Sequence, residues 1–139
     1  MVVQKKDLSL KTKGRTDILD ITPHVRQAVE ESGAQDGVVI IFVPGSTAGV
    51  TTIEYESGVL KDLAEAIERL APESIHYHHD ARWGDGNGFS HVRAALLGPS
   101  LSVPFSAGSL QIGTWQQIVL IDFDNRPRHR DILLQIIGE

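Results

Sequence analysis

Four of the chain's six histidines, two aspartates and two arginines fall within residues 76–93, HYHHDARWGDGNGFSHVR, around three glycines. Imidazole and carboxylate together are the ligand set for zinc and similar divalent ions. They are equally the acid/base set that works near neutral pH. On an extended segment His76 and His78 share one side and His79 takes the other, so one ion needs ligands from elsewhere. His91 can fold back toward His79 across a turn through Gly84, Gly86 and Gly88, and Glu54, at the end of a predicted strand, is a third oxygen donor. No short zincin-type signature is present, and plain hydrogen-bonding histidines are an equal alternative.

Three further clusters carry chemistry. Gly45-Ser46-Thr47-Ala48-Gly49 follows an apolar strand and offers N–H groups and the Ser46 and Thr47 hydroxyls to an anion. It lacks a Walker lysine, and a simple turn would use the same residue types. Arg126, Arg128 and Arg130 form a basic tip in Asn125-Arg126-Pro127-Arg128-His129-Arg130. Facing the glycine loop, that tip suits a phosphate or carboxylate; facing solvent, it only solubilises a hairpin. In Gly113-Thr114-Trp115-Gln116, Trp115 serves either packing or ring stacking. Ser46 or Thr47 as a hydrolase nucleophile is disfavoured, because no strand-to-helix elbow presents it.

These groups need a scaffold, and the pattern supplies one. Residues 2–12 alternate as an edge strand with lysines along it. Thr22 as N-cap, Pro23 at the first helical position and Gly33 as the stop define a helix. Residues 38–43, VVIIFV, predict a central strand covered on both faces, and residues 50–54 resume an extended pattern. Leu60, Leu63, Ala64, Ile67 and Leu70 recur at helical spacing. Ser90 caps a short helix over residues 91–97, closed by Gly98-Pro99. Strands are predicted at 101–103, 109–112, 118–123 and 132–137. The sum is an α+β fold: a single compact domain over residues 1–139, with a mixed, mostly antiparallel sheet and two or three helices.

Composition narrows the function classes. A chain of 139 residues supports one core without disulfides, and it has no cysteine, so thiol redox chemistry and thiolate zinc sites are excluded. A formal charge of −5 and a pI of about 5.6 argue against nucleic acid and anionic membranes as partners. The first fifteen residues hold no apolar run of signal-peptide length. A cytoplasmic enzyme or binding protein is the expectation.

Taken in order, the motifs resemble the YjbQ-like family, also called UPF0047 and labelled secondary thiamine-phosphate synthase. The resemblance runs through Val43-Pro44-Gly45-Ser46-Thr47-Ala48-Gly49-Val50-Thr51, Glu54, Tyr77-His78-His79-Asp80, Gly86-Asn87-Gly88 and Ser90-His91-Val92-Arg93-Ala94. It continues through Leu97-Gly98-Pro99-Ser100, Gly113-Thr114-Trp115-Gln116 and Ile137-Gly138-Glu139. It implies an α+β homotrimer with a polar site near the subunit boundary. Many relatives carry a histidine where this chain has Gly45. The resemblance implies catalytic roles for His79, His91, Glu54, Asp80 and Asp85, with His79, His91 and Glu54 holding a divalent metal. Imidazole ligands favour zinc over magnesium. A small phosphorylated substrate would meet Ser46, Thr47, Arg93, Thr114, Trp115, Gln116, Arg126 and Arg128. The implied reaction joins a pyrimidine-methyl pyrophosphate to a thiazole phosphate. Two other readings stand beside it: a metal-assisted hydrolase of a phosphate-containing small molecule, and a non-enzymatic trimeric protein that binds a small anion or a metal.

Overall fold

The structure, a computed structural model, describes residues 1–139. The chain runs β1 (Val2–Thr12), β2 (Asp17–Asp20), α1 (Thr22–Ser32), β3 (Gly37–Phe42), β4 (Ala48–Ile53), α2 (Ser57–Leu70), α3 (His78–Trp83) and α4 (Gly88–Leu97). It ends with β5 (Ser100–Ser106), β6 (Ser109–Leu110), β7 (Gln117–Asp122) and β8 (Arg128–Gly138). Single-domain α+β architecture agrees with the expectation. The helices number four, not two or three, and the strands form two sheets in which every pairing is antiparallel.

The larger sheet has the order β1-β8-β3-β5-β6 and the smaller one β2-β7-β4. Between them lies the main core, where Val39 and Ile41 of β3 meet Ile118 and Leu120 of β7 and Ile132, Leu134 and Ile136 of β8. Helix α1 closes one side of this core through Val25, Ala28 and Val29. On the outer face of the small sheet, Val119, Ile121 and Phe123 form a second cluster with Ala94 and with Leu63 and Ile67 of α2. Strand β7 is therefore the one covered on both faces. That place was expected for residues 38–43, but no element covers the outer face of β3, where Val38 and Ile40 are half-buried and Phe42 is exposed.

Local chemistry explains most boundaries. Pro23 opens α1 and Gly33 ends it in the left-handed region, at φ 74°. Thr22 lies inside α1 and does not cap it. Its hydroxyl instead accepts from the Ile118 amide at 2.8 Å, tying the helix to β7. Glu56 caps α2, accepting from the amides of Gly58 and Val59 at 2.8 Å each, and these bonds hold its carboxyl below the ordinary range. Ser90 is likewise inside its helix, which begins at Gly88; its hydroxyl donates to the Phe123 carbonyl at 2.5 Å. No helix is long and apolar enough to cross a membrane.

Candidate functional site

Three loops meet at one end of the small sheet. The first, residues 44–47, joins β3 to β4 and crosses from one sheet to the other. Thr47, only 3% exposed, accepts from Arg130 Nη2 at 2.6 Å and donates to Asp124 Oδ2 at 3.1 Å. Its carbonyl accepts from the Phe123 amide at 2.9 Å, which fixes the loop against the end of β7.

The second loop links β7 to β8. Of the two readings of the basic segment, a solubilising hairpin and a tip facing the glycine loop, the hairpin fails because β7 and β8 belong to different sheets. Arg126 lies in the crossover, and Arg128 and Arg130 at the start of β8. Asp122 and Asp124 are buried beneath them. Arg130 pairs with Asp122, and Arg128 Nε reaches Asp124 Oδ2 at 3.1 Å. Burial pushes the Asp122 carboxyl up, yet hydrogen bonds from Arg130, Thr12 and the Asp124 amide outweigh it and hold the group below its ordinary value. Asp124 behaves alike: burial opposes ionisation, and bonds from the Asn125 amide, Asn87 and Thr47, with the Arg128 charge, overcome it. Gly14, at φ 76°, packs against the backbone of this loop; a Cβ there would meet the Arg126 carbonyl oxygen at 2.4 Å.

The third loop carries the histidines. The histidines at 76–79 were expected on an extended segment; instead residues 78–83 form the short helix α3, which carries both His78 and His79. Asp80 accepts from the Gly88 amide at 2.8 Å and closes the Gly84–Gly88 turn. Gly88 is required there, since a Cβ would stand 2.6 Å from that of Tyr77. Helix α4 then returns His91 to His79, with ring centroids 4.3 Å apart and planes tilted by 37°. Asn125 donates to the Asp85 carbonyl at 2.9 Å, stitching the second loop to the third. The Asn87 amide stands between two carboxylates: it donates to Asp124 at 3.3 Å, and turned over it donates to Asp85 at 3.1 Å.

These loops enclose a cavity of about 370 Å³. Ser46, Thr47, His79, His91, Asp85 and the three arginines line it, with Trp83 at its edge. His79 Nδ1 lies 3.3 Å from Asp85 Oδ1 and 3.6 Å from Asp80 Oδ1. Although so close to Asp85, it is buried without a hydrogen bond of acceptable geometry. Ligand atoms of a tetrahedral zinc at about 2.0–2.1 Å stand about 3.3 Å apart, so His79, Asp80 and Asp85 fit a divalent ion. Their donor atoms lie within 4.8 Å of one another.

Several expected residues lie elsewhere. Glu54 follows Ile53, which pairs with Gln117 at the far end of the small sheet, whereas Ala48 pairs with Asp122 beside the cavity. At about 3.3 Å per residue β4 carries Glu54 about 20 Å along the strand from Ala48 at the cavity end, so it is no ligand with His79 and His91 in one chain. The donor atoms that converge on His79 are those of Asp80 and Asp85; His91, also expected as a ligand, is not among them. Thr114, Trp115 and Gln116 sit at the same far end, where Gln116 donates to Thr52 at 3.2 Å and Trp115 is 73% exposed. Arg93 is buried on the opposite side of α4, donating to the Ala71 carbonyl, Thr16 and Glu68 and stacking on Phe89. It holds elements together and does not reach the cavity. The buried pair Asp122 and Asp124, Asn87 and Trp83 escaped sequence reasoning. Asp122-Phe123-Asp124, acidic residues closing an apolar strand beside three arginines, was the available signal.

A family model described as UPF0047 protein YjbQ-like matches residues 6–139. A UPF0047 protein of Archaeoglobus fulgidus is 39% identical over 131 residues, covering 94% of this chain and 99% of that protein. One from Methanothermobacter thermautotrophicus is 37% identical across 100% of this chain and 95% of its own length. The crystal structure of a YbjQ-like protein of unknown function from Sulfolobus solfataricus superposes with a TM-score of 0.94 at 34% identity, covering 99% of each chain. A hypothetical protein from Aeropyrum pernix gives 0.90 at 29% identity, covering 98% of this chain and 99% of its own.

Proposed function

The chain belongs to the UPF0047 protein YjbQ-like family, and we propose that its cavity binds a small phosphorylated molecule and acts on it with the help of a divalent ion. One observation carries this reading: Arg126, Arg128 and Arg130 open on the same cavity as His79 and Asp85. Fixed guanidinium groups suit phosphate oxygens, which they grip in a planar fork.

His79, Asp80 and Asp85 would hold the ion, with the imidazole favouring zinc. When bound, such an ion withdraws charge from a phosphate oxygen as a Lewis acid. The arginines stabilise charge on a departing polyanion, and Trp83 stands where an aromatic ring can stack. His91, beside His79, is placed to hold or release a proton. The reaction we assign is the transfer implied by the family resemblance. The thiazole nitrogen forms a C–N bond to the pyrimidine methylene carbon, the C–O bond breaks, and pyrophosphate leaves with the electron pair.

A homotrimer belongs to the same proposal. The uncovered face of β3 and β8, where Val38 pairs with Ile137 and Phe42 with Leu133 on either side of Ile40 and Gln135, supports it, as a largely apolar sheet face calls for a partner. Sedimentation of the purified protein reads the assembly directly.

The test of function is chromatographic assay of thiamine phosphate from the two substrates, beside phosphate release from simple phosphate esters, with and without zinc. Thiamine phosphate formed by wild type and lost in His79→Ala and Arg128→Ala supports the transferase. Ester hydrolysis without a thiazole acceptor replaces it with a hydrolase, and phosphate binding without either turnover replaces it with a binding protein.

A further inference from the structure

Beneath residues 45–47 lies a cation committed on most of its edges but one. Arg130 is 6% exposed. Its Nε donates to Asp122 Oδ2 at 2.7 Å, and its Nη2 donates to Asp122 Oδ1 at 2.9 Å and Thr47 at 2.6 Å. The third nitrogen, Nη1, has no partner in the chain and lies toward Gly45: a Cβ built on that glycine would stand 3.1 Å from it. Gly45 has φ 147°, a conformation side-chain-bearing residues rarely adopt. The backbone N–H groups of Gly45, Ser46 and Thr47 likewise donate to nothing within the chain. Both the loop and Arg130 line the cavity.

Nη1 is open to the cavity, where water or a ligand completes its hydrogen bonds. Arg128 and Arg130 answer Asp124 and Asp122 one for one, which leaves the exposed Arg126 at the cavity rim with Asp85 as the remaining lining carboxylate. The pocket therefore offers unpartnered N–H groups that open on the cavity, from Arg130 Nη1 and from the loop, with the Arg126 guanidinium on the same cavity.

We infer that Gly45 and Arg130 form an oxyanion subsite, in which Arg130 Nη1 and the loop amides take the oxygens of a terminal phosphate and Gly45 sets specificity by leaving the guanidinium uncovered. This deepens the proposed function and rests on the cavity being a phosphate site. It involves none of the three candidate metal ligands, so the two can fail separately. Asp122 and the Thr47 hydroxyl act as positioning groups, since they hold the guanidinium while the ligand meets Nη1 and the loop amides.

The experiment is a titration of the purified full chain with inorganic phosphate, followed through the guanidinium ¹⁵N signals by nuclear magnetic resonance. Calorimetric affinity is measured in parallel for wild type and Gly45→Ala. The Arg130 signals shift on phosphate addition and not on acetate, and Gly45→Ala binds phosphate about tenfold more weakly, the loss expected for one charged hydrogen bond. The wild-type titration keeps the test intact should Gly45→Ala fold poorly. An Arg130 signal indifferent to phosphate, or a folded Gly45→Ala of wild-type affinity, overturns the subsite. A shifted Arg130 signal in a protein that turns nothing over leaves the subsite standing and removes the transferase reading alone.

Discussion

Arg130 grips Asp122 in the interior through two nitrogens of one guanidinium, and Thr12 adds a third hydrogen bond to the same carboxylate at 2.6 Å. Neither partner is replaceable singly. Asp122→Ala strands a buried cation and should cost about 3–5 kcal/mol of stability. Urea denaturation measures it.

The same pair sets an acid limit. The folded carboxyls of Asp122 and Asp124 lie below the ordinary value of 3.8, so the unfolded chain binds more protons over that window. Stability from these groups is present above 3.8 and is lost as pH falls through the folded values. Unfolding free energy should rise with pH across this range. Asp122→Asn should flatten the slope, and a slope unchanged in that variant would exclude Asp122 as its source.

Metal binding should follow the geometry around His79. Elemental mass spectrometry of zinc-loaded protein should find about one ion per chain, lost in His79→Ala and Asp85→Ala. Glu54→Ala should keep it, because Glu54 stands at the other end of β4. Equal loss in Glu54→Ala would point to a site shared between subunits.

Arg93 supplies the contrast. Its bonds to the Ala71 carbonyl, Thr16 and Glu68 join α4, the end of α2 and the turn before β2. Arg93→Ala should destabilise by about 2 kcal/mol, while phosphate affinity stays at the wild-type level. A selective loss of phosphate binding would contradict its place outside the cavity.

Trp83 offers an optical readout. The chain has two tryptophans, and the other, Trp115, lies at the far end of the small sheet. In a Trp115→Phe background, a pyrimidine or thiazole ligand should change the Trp83 emission, whereas inorganic phosphate should change it much less.

Sequence reading recovered what depends on local period and punctuation. Pro23 and Gly33 bound α1, and the spacing of Leu60, Leu63, Ile67 and Leu70 revealed α2. It failed where distance along the chain decides. The four residues of β2 are half-buried and carry no alternation, so only their pairing with β7 makes them a strand. Strand β7, not β3, is covered twice, because that depends on where α2 and α4 pack. At the site, residue type pointed to the histidine loop and His91, and the family resemblance singled out His79 and Asp85 within it. Glu54 and Arg93 were misplaced because type says nothing about which strand end or helix face a side chain occupies. Asp122 and Asp124 were missed since their meaning comes from the arginines that cross above them.

The pairing of β1 with β8 governs how the molecule is made. Each rung, from Val2 with Gly138 to Thr12 with Arg128, joins residues more than a hundred positions apart. Such non-local closure is slow, because the chain loses loop entropy before contacts compensate. During synthesis β1 waits for its neighbour until nearly the whole described chain has emerged, and meanwhile its edge is open to other chains. Lys5, Lys6 and Lys11, spaced along that waiting edge, oppose such pairing. Arg130 arrives with the same late strand, so the cavity is the last part of the protein to be assembled and the nascent chain cannot engage a ligand early.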